Sequence, residues 1–151
     1  MFIPDFSDEI LINNALKCLE KHLSDDIQTF TDAQNAKAYL RLQLGAECNE
    51  IFGVLFLDTK HRFLAFEKLF LGTINEAAVY PRVIVQRALA HNAAAVILSH
   101  NHPSGCIDPS EPDKNVTKKL TDILRIIDVN VLDHIIVSSN DSFSFAEQGI
   151  M

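Results

Sequence analysis

Two imidazoles and a carboxylate fall close together in one stretch, Ser99-His-Asn-His-Pro-Ser-Gly-Cys-Ile-Asp-Pro-Ser-Glu-Pro-Asp113. His100 and His102 are two residues apart, and in an extended segment such residues point to the same side. Both rings can therefore face one ion while Asn101 points away. Asp113 follows Ser110 at the spacing of a capping box, which puts Ser110 at a helix N-cap and Asp113 on the first turn. Pro112 falls where no intrahelical N–H is yet required, so it supports that start. Two imidazoles and a carboxylate leave the fourth position of a tetrahedral zinc open for water, the mark of a catalytic site. Taken alone, His-x-His and Ser-x-x-Asp are common structural patterns. Their combination, H-x-H-x7-S-x2-D with Pro103 and Gly105 in the connecting turn, is what points to a metal.

Such a set works only if rigid elements hold it. Ala94 to Ser99 reads as a buried strand, with His100 and His102 where it ends. Ser110 to Ile127 reads as an amphipathic helix, with Val116, Leu120, Ile123, Leu124 and Ile127 at three- and four-residue steps. Upstream, Ile51 to Leu57 is a run of β-formers closed by Asp58-Thr59, and Arg62 to Leu71 suits the second strand of a hairpin. Pro81 fits the first turn of a helix reaching Asn92, and Val131 to Ser138 reads as another strand. Near the start, Ser7 or Asp8 can cap a helix in which Ile10, Leu11, Asn14, Ala15, Cys18 and Leu19 follow helical spacing. Residues 24–31 read as a loop. Asp32 then caps a second helix with Ala36, Tyr39, Leu40, Gln43 and Leu44 on one side, stopped at Gly45. The order predicts one mixed α/β domain with an N-terminal helical arm.

Composition bounds the function. The chain has 151 residues, 48% of them hydrophobic and 22% charged, an ordinary globular balance. Its longest unbroken apolar run, Ala93 to Leu98, is far short of the roughly 20 residues that cross a bilayer, so no membrane role is expected. No basic region precedes an apolar stretch in MFIPDFSDEI, so no secretory signal is expected either. Cys18, Cys48 and Cys106 form no C-x-x-C pair, which argues against a disulfide framework or a thiolate knuckle and for a cytoplasmic protein. The formal charge of -7 opposes direct nucleic-acid binding. Seven acids and two bases lie in residues 1–35, so the bias belongs mostly to the arm. Elsewhere the domain is nearly balanced, and Lys114, Lys118 and Lys119 are a short cluster better read as a solvated face.

The combined pattern resembles the JAMM motif of the MPN-domain metalloproteases. The wider segment, His100-Asn-His-Pro-Ser-Gly with Pro109-Ser and Asp113, is similar to the RadC-like branch of bacterial JAMM proteins. Further matches are Glu50 with the strand up to Asp58, Gly72-Thr73, Pro81-Arg82, Asn92-Ala-Ala, Asp133-His-Ile-Ile-Val, and Ser144-Phe with Gly149. The likeness covers residues 32–151, and a short arm without a helix-hairpin-helix region resembles the compact, prophage-associated members. It implies a single MPN-type domain at 32–151, a mixed sheet flanked by helices in a cytidine-deaminase-like layout, with the arm at 1–31.

The same likeness implies roles. His100, His102 and Asp113 would bind one zinc ion per chain. Glu50, just before the first core strand, stands where the family glutamate binds and deprotonates the metal water. Glu47, Glu67 and Glu76 are competitors in worse places. Ser110 resembles the family serine that hydrogen-bonds the oxyanion, although a plain N-cap explains it as well. Tyr80 stands where relatives often carry histidine. His134 is either an outer partner for a ligand or a satisfied core histidine. His22, His61 and His91 read as surface residues, and Cys106 as a loop residue. The implied function is a zinc-dependent hydrolase of peptide or isopeptide bonds. Alternatives are a non-catalytic metal-holding interaction module, or a protein tied to DNA repair without touching DNA. A nucleobase deaminase is set aside, because it needs H-x-E with P-C-x-x-C. The substrate stays unnamed, and Phe2, Ile3 and Phe6 suggest a homodimer contact through the arm.

Overall fold

The computed structural model describes residues 6–25, 29–30, 32–74 and 78–151. Their element order is α1 (Phe6–Asp25), α2 (Ala33–Leu44), β1 (Ile51–Leu57), β2 (Phe63–Leu71), α3 (Pro81–Ala90), β3 (Ala95–Asn101), α4 (Glu111–Ile126), β4 (Asn130–Val137) and β5 (Ser142–Ser144). The strands form one mixed sheet in the order β2-β1-β3-β4-β5. β1 runs antiparallel to β2 and β3, β3 is parallel to β4 through the α4 crossover, and β5 returns antiparallel. The architecture is the single mixed α/β domain expected from the sequence. No helix among the described residues is long and apolar enough to cross a membrane.

β1 and β3 are buried at every position, because helices cover both faces of the sheet. Alternation sorts their side chains into two cores. Phe52, Val54 and Phe56 of β1 and Val96 and Leu98 of β3 meet α3 and α4, through Ile84, Ala88, Val116, Leu120 and Leu124. On the opposite face Ile51, Leu55, Leu57, Ala95 and Ile97 meet Ala36, Tyr39, Leu40 and Leu44 of α2. The same period carries on past the apolar part of β3: His100 follows Val96 and Leu98 toward α4, and Asn101 takes the α2 side.

Several local differences from the sequence reading have physical causes. β3 continues through Asn101, because His100 and Asn101 pair with Ile136 and Val137 of β4 and His100 also with Phe52 of β1. Gly45 ends α2, but its φ of -64° is an ordinary right-handed value. What it supplies is room: a Cβ there would stand 2.9 Å from the Ser138 carbonyl oxygen. The helix α1 occupies the predicted arm, with Leu16 and Leu19 against the α2-side core and Glu20 accepting a hydrogen bond from the Tyr39 hydroxyl at 3.1 Å. Ile10, Leu11 and Cys18 are left exposed, so its buried side is rotated from the one the spacing suggested. The predicted loop at 24–31 starts later than expected, since α1 reaches Asp25; residues 26–28 and 31 lie outside the described residues, as do Phe2, Ile3 and Glu76 and the side chains of Phe6 and His22. β5 is too short to show a period in the sequence.

Candidate metal centre

Strand β3 delivers both imidazoles. His100 is fully buried inside it, and His102 lies one residue past its end, where its N–H donates to the Val137 carbonyl at 2.9 Å. The third group comes from the first turn of α4. Ser110 is the N-cap: its Oγ accepts from the Asp113 N–H at 3.2 Å, and its own N–H donates to Asp113 Oδ2 at 2.8 Å. This capping box fixes the carboxylate, and Asp113 is only 2% exposed despite its place at a helix start. His100 Nε2 lies 3.0 Å from His102 Nε2 and 3.2 Å from Asp113 Oδ1, and His102 Nε2 lies 3.5 Å from Asp113 Oδ2. A tetrahedral ion of the zinc type, with ligand distances of about 2.0–2.1 Å, sets its ligand atoms about 3.3 Å apart. The three side chains form a group that could hold a metal ion, and their spacing fits one.

Electrostatics point the same way. Burial alone would push the Asp113 carboxyl up, but the neighbouring His100 and His102 rings, with the Ser110 N–H, outweigh it and hold the group well below the usual carboxylate range. His102 is raised, chiefly by its hydrogen bond to Asp113, against desolvation and with help from the Cys106 carbonyl and the charges of Asp113 and Glu50. The pocket therefore attracts positive charge. The Cys106 carbonyl also fixes the His102 ring: a carbonyl can only accept, so Nδ1 at 2.7 Å carries a proton and Nε2 is the nitrogen turned to the pocket.

Glu50 stands immediately before β1. Its backbone carbonyl accepts from the Gly72 N–H at 2.9 Å and its Oε2 from the Ile74 N–H at 2.8 Å, which clamps it between β1 and the end of β2. It lines a groove of about 580 Å³ together with Glu47, Asn49, Leu71, Thr73 and Pro103, the residue after His102. Two of the competitors, Glu47 and Glu67, are engaged elsewhere, and Glu76 lies outside the described residues. Glu47 pairs with Lys68 at 2.5 Å, and Glu67 is held by Arg87 and by His91, each at 2.5 Å from its Oε1. That network corrects the reading of His91 as a solvated surface residue, since its ring is half-buried and also packs on Phe56. Cys106 contributes its carbonyl and keeps its thiol out of the cluster, 3.7 Å from Asp108 Oδ2. Tyr80 is the exposed N-cap of α3 and packs on Phe70. Lys114 and Lys118 pair with Glu111 and Asp122 on their own helix, as a solvated face should.

Three further residues complete the surroundings. Asn101, facing away from the pocket, accepts from the Ile51 N–H at 2.7 Å and donates to the Glu47 and Asn49 carbonyls at 3.2 and 2.9 Å. It thus ties the strand of the histidines to the loop that carries Glu50. Asn101→Ala is expected to destabilise the fold by about 2–3 kcal/mol, read as a lower urea midpoint at unchanged slope, because a buried N–H loses its acceptor. His134 is both things it was read as: a fully buried core histidine and the partner of His100 Nδ1, at 2.8 Å. Burial, with the charges of the neighbouring histidines, pushes its pKa well down. Thr117 was not singled out in the sequence. Its Oγ1 lies 2.5 Å from His134 Nδ1, and its place one turn after Asp113 was the available signal.

Comparison with known proteins agrees with this geometry. A model of the RadC-like JAB domain family matches residues 30–150. A UPF0758 protein of Nitrosococcus oceani is 51% identical over 140 residues, covering 89% of this chain and 62% of its own length. A UPF0758 protein of Methylibium petroleiphilum is 55% identical over 122 residues, covering 81% of this chain and 55% of its own. The chain thus spans little more than half of the length of these two relatives. UPF0758 protein YkfG of Escherichia coli K12 is 46% identical over 144 residues, covering 95% of this chain and 91% of its own length.

Proposed function

Because this chain belongs to the RadC-like JAB domain family, we propose that it is a zinc-dependent hydrolase of peptide or isopeptide bonds. The observation that carries this reading is the convergence of His100 Nε2, His102 Nε2 and the Asp113 carboxylate at tetrahedral spacing beside a clamped glutamate. His100, His102 and Asp113 would hold the ion, one per chain. Zinc bound there would supply Lewis acidity and lower the pKa of its water toward about 7.

The chain's own groups divide the remaining work. Glu50 takes a proton from the attacking water and returns it to the leaving amine. Its clamp to the Ile74 N–H holds Oε2 and fixes the carboxylate, which leaves Oε1 for that transfer. Ser110 Oγ accepts the Asp113 N–H with a lone pair, so its own proton is available to an oxyanion while the capping bond persists. One hydroxyl would thereby serve as the helix cap and as the oxyanion donor that the family resemblance implies. The groove lined by Glu50 and Pro103 is where an extended chain would lie.

The test uses purified protein, stripped with a chelator and reconstituted with zinc, against a panel of linear peptides and lysine-linked isopeptides. Stoichiometric zinc and hydrolysis that disappears on chelation and returns with zinc are expected. Absence of bound zinc after reconstitution, or cleavage indifferent to chelation, would overturn the reading.

A further inference from the structure

We propose that Thr117, acting through His134, sets the tautomer of His100 and so keeps His100 Nε2 open for the metal. This rests on the metal-holding reading of the site and is independent of whether the site hydrolyses anything.

Proton bookkeeping carries it. Thr117 Oγ1 has a single proton and lies 2.7 Å from the Asp113 carbonyl, which can only accept. The hydroxyl proton therefore goes to that carbonyl, and toward His134 Nδ1 the oxygen can only accept. His134 must then carry its proton on Nδ1. A neutral imidazole has one N–H, so His134 Nε2 is an acceptor and His100 Nδ1 must donate to it. What remains on His100 is a bare lone pair at Nε2, the atom that faces His102 and Asp113. An unconstrained imidazole in water prefers the opposite arrangement, with its proton on Nε2. The relay thus does for His100 what the Cys106 carbonyl does directly for His102.

The relay is sealed and clamped. His100 and His134 are fully buried and Thr117 nearly so, which leaves no water to substitute for a missing partner. The His134 ring stacks on Phe145 at 4.8 Å and meets the edge of Phe52 at 5.7 Å. Asp133 holds the backbone around it: its Oδ1 accepts from the His134 and Ala146 N–H groups, and its Oδ2 from the Ser144 hydroxyl at 2.5 Å. That assigns a role to Asp133-His134 and Ser144-Phe145, which the hydrolase reading leaves unused. The chain of bonds also begins and ends on the site, since the Asp113 that offers a carboxylate to the pocket offers its carbonyl to Thr117.

Thr117→Val keeps the side-chain shape and removes the hydroxyl's bonds to the Asp113 carbonyl and to His134 Nδ1. His134 then gains by moving its proton to Nε2, which turns His100 Nδ1 into an acceptor and places the His100 proton on the metal-facing nitrogen. Zinc affinity is expected to fall by about 10–100-fold in Thr117→Val and to return to within about threefold of wild type in Thr117→Ser. Nitrogen NMR of the ¹⁵N-histidine-labelled, metal-free protein at mildly alkaline pH reads the tautomers directly. His100 and His134 should both be protonated at Nδ1 in wild type and in Thr117→Ser, and His100 at Nε2 in Thr117→Val. A merely structural threonine would change the melting temperature and leave the His100 tautomer alone. His100 protonated at Nε2 in the wild type overturns the proposal, and that measurement needs no variant to fold. So does a Thr117→Val protein with wild-type zinc affinity. If the wild type takes up no zinc yet shows the expected tautomers, the metal reading fails and the relay stands.

Discussion

His100→Ala is expected to abolish stoichiometric zinc binding, with a loss of about a thousandfold or more in affinity, or about 4 kcal/mol. Two donors would remain, and His102 together with one carboxylate is a poor site for a tetrahedral ion. The loss should exceed the roughly 10–100-fold attached to changes outside the ligand set. The metal-free variant should also be less stable than the metal-free wild type. His100 is fully buried, and its removal leaves a cavity and strips His134 Nε2 of its donor, which costs about 1–3 kcal/mol for the orphaned group alone. His102→Ala separates the two effects. Its side chain is partly exposed and bonded outward to a loop carbonyl, so it should lose zinc with a smaller loss of stability. Metal analysis and calorimetric titration supply the first number and chemical denaturation with excess chelator the second. Zinc should raise the melting temperature of the wild type and leave both variants unmoved. A His100→Ala protein that still takes up zinc at near wild-type affinity would remove His100 from the ligand set.

Glu50→Gln is expected to lower turnover by about 10²–10⁴-fold while leaving zinc content unchanged and stability within about 0.5 kcal/mol. Glutamine suits the question because its amide oxygen can still accept the Ile74 N–H that holds Glu50 Oε2 at 2.8 Å. The clamp survives and the base does not. Glu67→Gln is the control: Glu67 is held low by its hydrogen bonds to Arg87 and His91, and losing its charge should loosen the α3 contact without touching turnover. Wild-type turnover in Glu50→Gln would eliminate Glu50 as the base. If wild type and variant both hold zinc and neither cuts any substrate, the protein is a metal-holding interaction module.

Much of the fold was legible because its elements are strongly patterned. β1, β2, α2 and α4 lie close to where apolar spacing put them, and both N-caps, Asp32 and Ser110, accept the expected backbone N–H groups at 2.9 and 3.2 Å. The three residues that could hold a metal ion were legible for the same local reason. His100 and His102 share a side through strand period, and Asp113 is fixed three residues after a cap. His91 and β5 were misjudged or missed because each depends on a neighbour distant in sequence: Glu67 on β2 and the paired edge of β4.

By itself, then, the sequence determined every element but the short β5 and which residue types could meet a metal, since both follow from short-range periodicity and capping. Only the tertiary structure decided that Glu47 and Glu67 are tied to lysine and arginine while Glu50 is held by the backbone N–H of Ile74. It also decided that Asn101 braces the Glu50 loop and that Thr117 and His134 reach back to His100. Those contacts join β3 to the loop before β1, to α4 and to β4, elements brought together by sheet pairing and helix packing. Proton placement is the finest of these decisions. It depends on which nitrogen meets which oxygen, and the chain folds those atoms to within hydrogen-bond reach only when the whole core closes.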